Sequence, residues 1–111
     1  MLDFSLSEEH QQLIEMARRF TAERITPNAG EWDAESVFPM EVFKEAWELG
    51  LINPTCPSEY GGLGLGELEN ALICEEFSYG CTGVQTSFLG NGLALTPVKL
   101  AGSEEQKKKY L

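Results

Sequence analysis

Apolar residues recur at helical spacing in several separate stretches of the chain. The first stretch runs from about Ser7 to Glu23, and its apolar side chains lie three and four residues apart on one face: Leu13, Ile14, Ala17 and Phe20. Ser7 can cap the start of this stretch, and Pro27 follows its end. The pattern therefore predicts one amphipathic helix here.

A second helix is predicted between Pro39 and Gly50, because proline is favoured in the first turn of a helix and glycine just after the last. Its apolar face consists of Val42, Phe43, Ala46 and Trp47. A third helix is predicted over about Glu67 to Ser78. Its broad apolar face is expected to point inward and consists of Leu68, Ala71, Leu72, Cys74 and Phe77.

A fourth helical pattern, from about Thr82 to Leu95, contains three glycines: Gly83, Gly90 and Gly92. Each glycine costs up to about 1 kcal/mol relative to alanine, which suggests that another group packs close to this helix. A capping box of Ser103 and Gln106 then opens a last helix, which has run about two turns when the sequence reaches Leu111. We expect this last helix to be truncated, as in a fragment of a longer chain.

No stretch alternates apolar and polar residues well enough to predict a strand. The expected fold class is therefore all-α, a bundle of about five to six helices that forms one domain over residues 1–111. We expect one core, formed by Phe20, Phe43, Trp47, Leu72 and Phe77.

Charge and composition exclude some classes of partner. The 111 residues carry a formal charge of −10, whereas nucleic acids and anionic membranes favour a basic surface. We therefore expect neither nucleic acid nor membrane as a partner. The apolar stretches are also too short to cross a bilayer, and the first residues lack the layout of a signal peptide.

The residues that often build metal or catalytic sites form no motif in this sequence. The three cysteines, Cys56, Cys74 and Cys81, are odd in number and lack CxxC spacing, so buried thiols are favoured over a metal site or disulfides. His10 is interpreted as a solvated surface histidine. The remaining charged residues considered are interpreted as ordinary helix-surface charges: Glu8, Glu9, Glu75, Glu76, Arg18, Arg19 and Arg24.

The glycine-rich segment Gly61–Gly66 resembles a phosphate-binding loop in composition, but its context argues against that function. A dinucleotide fingerprint needs a preceding strand, whereas Pro54 and Pro57 precede this loop, and its GGxGxG spacing also differs from GxGxxG. The loop leads into Glu67 and Glu69, whose carboxylates would repel a phosphate. We therefore predict a connector between helices that binds no phosphate.

Three longer segments together resemble the N-terminal helical domain of the acyl-CoA dehydrogenases, nearest to the medium-chain type. They are AWELGLINPTCPSEYGGLGLG at 46–66, EEFSYGCTGVQTSFLGNGLAL at 75–95 and AGSEEQKKKYL at 101–111. The resemblance covers nearly the whole chain. It implies a three-domain enzyme in which a β domain and a second helical domain follow this one, with FAD held between those two later domains.

The chemistry that this resemblance implies is the oxidation of a fatty acyl-CoA thioester to a trans-2-enoyl-CoA. A glutamate removes the α-proton while a hydride leaves the β-carbon for FAD. In the family, that glutamate and the main flavin contacts lie outside the stretch matched here. The resemblance therefore implies no catalytic, cofactor-binding or metal-binding residue in residues 1–111.

The resemblance does imply a substrate-binding role for the fourth helical pattern. Gln85, Leu89 and Leu93 are spaced four residues apart and share a helix face, with Thr86 beside it. Gln85 and Thr86 match the medium-chain enzyme, whereas that enzyme has an acid at the position of Leu89. We therefore expect Gln85, Thr86, Leu89 and Leu93 to line part of an acyl-chain pocket.

Two other functions are compatible with the residues alone: a non-catalytic helical module that binds acyl chains, and a protein-interaction module. The absence of a basic cluster for the CoA phosphates weighs against the first of these. For the full-length enzyme, the resemblance implies an electron-transfer flavoprotein as acceptor, a homotetramer, and a location in the bacterial cytoplasm or the mitochondrial matrix.

Overall fold

The computed structural model describes all 111 residues, and every regular element in it is helical. Seven α-helices are joined by short connections, one π-helical turn at Thr21–Ile25 and one 3₁₀ turn at Ser58–Tyr60. The helices are α1 (Glu8–Phe20), α2 (Ala29–Glu35), α3 (Met40–Glu48), α4 (Glu67–Gly80), α5 (Thr82–Leu89), α6 (Asn91–Ala101) and α7 (Glu104–Tyr110). The predicted all-α class is confirmed. None of these helices combines the length and the apolar composition needed to cross a membrane.

The helix predicted from Ser7 is present, and the Ser7 side chain accepts a hydrogen bond from the His10 backbone N–H. Its regular α-helical part ends at Phe20, where a π-helical turn begins. Thr21 and Ile25, the first and last residues of this turn, are both buried.

The core lies between α1, α3, α4 and α5, and it holds eleven buried apolar side chains. These are Ala17, Phe20, Ile25, Val42, Ala46, Leu51, Ile52, Ile73, Phe77, Val84 and Phe88. Phe88 is the centre of the aromatic packing: its ring centroid lies 6.2 Å from that of Phe77 and 5.3 Å from that of Phe43. Both rings meet Phe88 edge to face, an arrangement favoured by the aromatic quadrupole.

Two of the five residues predicted for the core are not in it. Phe20 and Phe77 are buried and Phe43 packs against the core, as expected. Trp47, in contrast, is 51% exposed, because it lies at the edge of α3 next to Phe43 and an open groove. Leu72 is only half-buried, and its neighbour Ile73 takes the central position instead.

The reason lies in the orientation of α4, which differs from the orientation predicted. Its buried residues are Ile73, Glu76 and Phe77, whereas Leu68 and Ala71 are exposed. Apolar residues occur almost all round this helix, so the sequence permits more than one inward face. The side that packs against α1 and α5 is the one that brings Ile73 and Phe77 into the core.

The fourth predicted helix is divided at Gly90 into α5 and α6. Gly90 keeps right-handed helical backbone angles, so the chain changes direction there without leaving the helical region. The expectation of close packing at the glycines is wrong within this chain for Gly92, since no atom lies within 4 Å of the position that its Cβ would occupy. α2, in the connection before Pro39, was not predicted from the sequence.

Candidate functional site

The orientation of α5 determines which of its side chains are available for binding. Val84 and Phe88 point into the core, at 6% and 0% exposure. Gln85 and Leu89 follow them around the helix and are half-buried, while Thr86 is exposed. Leu93, on α6, is exposed as well. None of the four predicted site residues is therefore fully buried in the core, although Leu89 packs partly against it.

Leu89 and Leu93 line the same groove even though the helix breaks between them. The groove has a volume of about 140 Å³ and lies between the start of α4, the α5–α6 junction and the Asn53–Thr55 segment. Its full lining is Asn53, Pro54, Thr55, Glu67, Asn70, Leu89, Gly92, Leu93 and Thr96. Leu93 is 82% exposed, so its side chain is free to contact a partner molecule.

Gln85 and Thr86 do not line this groove. The Thr86 hydroxyl donates a hydrogen bond of 3.4 Å to Gln85 Oε1. Burial raises the pKa of the Cys74 thiol on α4, and the side chain of Gln85 offsets part of this rise. The four predicted residues thus form two pairs. Gln85 and Thr86 are hydrogen-bonded to each other on α5, and Leu89 and Leu93 line the groove.

The polar residues that complete the groove were not predicted from the sequence. Glu67 and Asn70 come from the first turns of α4, and Asn53 comes from a connection with no regular pattern. Asn53 has a left-handed backbone (φ 49°), and its side-chain oxygen lies 3.3 Å from Asn91 Nδ2 at the start of α6. No spacing rule could have joined these residues, because the connection that holds Asn53 meets the start of α4 only in the folded chain.

A larger cavity than this groove lies on a different face of α5. It has a volume of about 330 Å³, is open to solvent, and is lined by 11 residues that include Trp32, Phe38, Cys81, Val84 and Ser87. None of the four predicted site residues lines it. Its polar lining residues are Asp33, Ser36, Cys81 and Ser87, and size alone does not make it the functional site.

The glycine-rich segment is a connector, as predicted, and it leads from the 3₁₀ turn to α4. Its backbone N–H groups are used internally: Gly62 donates to Pro57 O at 3.1 Å, and Gly64 donates to Cys56 O at 2.8 Å. Leu65 donates to Pro54 O at 2.9 Å. A Cβ at Gly62 would overlap the Cys56 carbonyl, so this glycine is needed for the close approach of two backbone segments.

The residues of this chain therefore do not fit the phosphate groups of FAD at the glycine segment. The Gly66 N–H is also taken, by the Glu69 carboxylate at 3.0 Å, which completes the N-terminal cap of α4. No three His, Cys, Asp or Glu side chains group closely enough to hold a metal ion.

Three of the charged residues predicted as ordinary surface charges are engaged in specific pairs. Glu76 is 8% exposed, and Arg18 binds both of its carboxylate oxygens, at 3.0 and 2.7 Å. Glu76 is buried because it lies on the face of α4 that packs against α1. Arg24 forms the same two-bond contact with Glu45, with both distances 2.6 Å. Arg19 and the other three glutamates of the prediction are exposed, as expected.

The prediction for His10 was also wrong, because this side chain is half-buried between α1 and α4. Its Nε2 lies 2.9 Å from Glu69 Oε1. Glu69 therefore joins His10 to the cap of α4, and the hydrogen bond from His10 is the largest cause of its lowered pKa. The three cysteines are free thiols: Cys56 is buried, and Cys74 and Cys81 are half-buried.

Comparison with known proteins identifies the family. A family model described as the acyl-CoA dehydrogenase N-terminal domain matches residues 7–111. The chain belongs to this family. The sequence is 47% identical over 110 residues to a Caenorhabditis briggsae protein named probable medium-chain specific acyl-CoA dehydrogenase 2, mitochondrial. That alignment covers 99% of this chain and 27% of the relative.

Solved structures have the same fold as this acyl-CoA dehydrogenase domain. A chain in a structure of the electron transferring flavoprotein of Acidaminococcus fermentans superposes with a TM-score of 0.88 at 32% identity, covering 99% of this chain and 29% of that one. The Bacillus anthracis acyl-CoA dehydrogenase complexed with FAD superposes with a TM-score of 0.75 at 33% identity, covering 100% and 19%. The chain thus spans about a quarter of the length of the curated relative, 27%.

Proposed function

We propose that the protein carrying this chain is a flavin-dependent acyl-CoA dehydrogenase that converts fatty acyl-CoA thioesters to trans-2-enoyl-CoA. The observation that carries this proposal is the family match over residues 7–111. The names of the relatives support it, since they include a medium-chain acyl-CoA dehydrogenase and an acyl-CoA dehydrogenase complexed with FAD.

The proposed contribution of this domain is one wall of the acyl-chain pocket. Leu89 and Leu93 supply apolar surface to a groove, and Gln85 and Thr86 supply amide and hydroxyl groups on α5. Apolar contact with successive methylenes is worth about 0.8 kcal/mol each, so such a wall can set a preference for chain length. This wall orients the substrate and excludes water, whereas the chemistry needs a base and FAD, which supplies the hydride acceptor when bound.

We place the catalytic base and the flavin contacts in further domains, because the glycine segment does not fit flavin phosphates and the family resemblance implies no base within residues 1–111. The N–H groups of the glycine segment are occupied, and its acidic neighbours would repel phosphate. The wide and thin shape of the domain, 42 × 40 × 21 Å, supports its packing against further structure. Only 15 of 111 residues are buried, and large apolar side chains such as Leu93 and Leu100 remain exposed.

The other parts of the proposal concern acceptor, assembly and location. We propose an electron-transfer flavoprotein as the electron acceptor, a homotetramer as the assembly, and the mitochondrial matrix or bacterial cytoplasm as the location. The likeness to a chain in an electron transferring flavoprotein structure supports the first of these, and the mitochondrial relative is consistent with the last.

The proposal is tested by measuring turnover of the full-length protein against acyl-CoA substrates of increasing chain length. Leu89→Trp and Leu93→Trp should shift the preference toward shorter chains, because added volume shortens the groove. Each methylene that is displaced should lower kcat/KM about fourfold. Leu93 is 82% exposed, so its replacement should not disturb folding.

Leu100→Trp is the matched control, since Leu100 is 76% exposed on the same helix as Leu93 and does not line the groove. Its chain-length profile should equal that of the wild type. An unchanged profile in both groove variants would remove Leu89 and Leu93 from the pocket. Absence of acyl-CoA oxidation in the full-length protein would overturn the enzymatic function and favour a binding module.

A further inference from the structure

Gly92 is a helical glycine for which nothing inside this chain gives a reason. It is the second residue of α6, and glycine weakens a helix relative to alanine. Its backbone does not adopt the left-handed conformation that requires glycine; among the glycines, only Gly50, Gly61 and Gly64 do so. No atom of the chain lies within 4 Å of the position that a Cβ would occupy there.

The position of Gly92 shows where the missing side chain would matter. Gly92 lines the groove that also contains Leu89 and Leu93, one residue before the second leucine. Since no protein atom is near the Cβ position, an added methyl group would stand in open space beside the groove. The same residue also lines a much smaller cavity next to Cys56 and Lys99.

We propose that Gly92 is a specificity-determining residue, whose lack of a side chain leaves room for the end of a bound acyl chain. The inference rests on the proposed function of the groove. It adds a fifth residue to the four that were predicted to line the acyl-chain pocket. Any side chain at this position would occupy space that the terminal methylenes of a longer acyl chain need, and it would leave shorter chains unaffected.

Gly30 provides a close internal control. It is likewise the second residue of a helix, α2, and has no atom within 4 Å of its Cβ position. It does not line the groove. Both Gly92→Ala and Gly30→Ala should therefore fold and raise the unfolding temperature by up to about 4 °C, since alanine is the better helix former.

The experiment combines three measurements on the two variants and the wild type. The first is the unfolding temperature of each protein. The second is kcat/KM of the full-length protein over a ladder of acyl-CoA lengths. The third is the affinity of the same proteins for acyl-CoA thioether analogues of the same lengths, which cannot be activated for α-proton removal as thioesters are.

Gly92→Ala should leave short chains unaffected and weaken the longest accepted chains about fourfold per displaced methylene, in turnover and in binding. Gly30→Ala should change neither profile. If Gly92→Ala behaves like Gly30→Ala in both profiles, or if it destabilises the fold, the role of Gly92 is refuted. A shift in the binding profile without any oxidation by the wild type would retain the role of Gly92 and refute the proposed redox function. Absence of both binding and oxidation would refute both.

Discussion

At the scale of single residues, the buried hydroxyl of Thr21 is the exception to an otherwise satisfied interior. Thr21 is 3% exposed, and its Oγ1 is the only buried side-chain N or O atom without a hydrogen-bond partner. This threonine is the first residue of the π-helical turn and lies on the inward side, next to the end of α4. A buried polar atom without a partner costs about 1–3 kcal/mol.

Replacing Thr21 by valine should therefore stabilise the domain. Valine has nearly the same shape and removes the unpaired hydroxyl, so we expect the free energy of unfolding to rise by about 1 kcal/mol. Denaturant unfolding of the two proteins measures the difference. Thr26→Val, at an exposed site in the same segment, should give no comparable gain. A loss of stability in Thr21→Val would mean that the hydroxyl has a partner such as a buried water molecule.

At the scale of elements, the crossing of α4 with the π-helical turn depends on the absence of a side chain at Gly80. A Cβ at Gly80 would overlap Thr21 Cγ2, and it would lie 2.9 Å from Thr26 Oγ1 and 3.4 Å from Ile25 Cγ2. Thr21 and Ile25 are buried, so neither side chain can easily move aside.

Gly80→Ala should therefore destabilise the domain, by about 1–3 kcal/mol, in spite of the better helix propensity of alanine. Thermal unfolding of the single variant gives this cost. The double variant Gly80→Ala with Thr21→Ala should recover part of the loss, since it removes the overlapping methyl group. If the stability changes of Gly80→Ala and Thr21→Ala simply add in the double variant, the overlap with Thr21 is not the cause of the loss in Gly80→Ala.

At the scale of the whole molecule, the formal charge of −10 and the paired carboxylates act in opposite directions as the pH falls. Protonation relieves repulsion among the acidic groups, which favours the folded state. It also breaks the contacts of Glu45 and Glu69. The hydrogen bond from Arg24 lowers the pKa of Glu45 below its ordinary value of 4.5, and His10 and the α4 cap lower that of Glu69.

A lowered pKa in the folded state stabilises the fold above the unfolded-state pKa, and this stability is lost as the pH falls through the lower folded-state value. As the pH falls from neutral to below about 4.5, the unfolding temperature of the wild type should therefore fall relative to that of Glu45→Gln. Unfolding temperatures of both proteins across this range measure the difference. Glu48→Gln, exposed on the same helix and outside any ion pair, should keep the pH dependence of the wild type. Equal pH dependence for Glu45→Gln and the wild type would exclude this ion pair as a source of acid sensitivity.

The sequence by itself determined the local structure. The helices at α1, α3, α4 and α5, the caps at Ser7 and Ser103, and the connector role of the glycine segment all follow from spacing, capping residues and glycine placement within short windows. These features depend on interactions between residues a few positions apart. For that reason they could be predicted without knowledge of the tertiary structure.

Only the tertiary structure decided which surfaces meet. α4 is apolar almost all round, so packing against α1 and α5 selected Ile73 over Leu72 and buried Glu76 against Arg18. The polar side of the groove consists of residues that are far apart in sequence: Asn53, Glu67, Asn70 and Thr96. A side chain's partner across the fold depends on how whole elements orient, and periodicity within one element cannot carry that information.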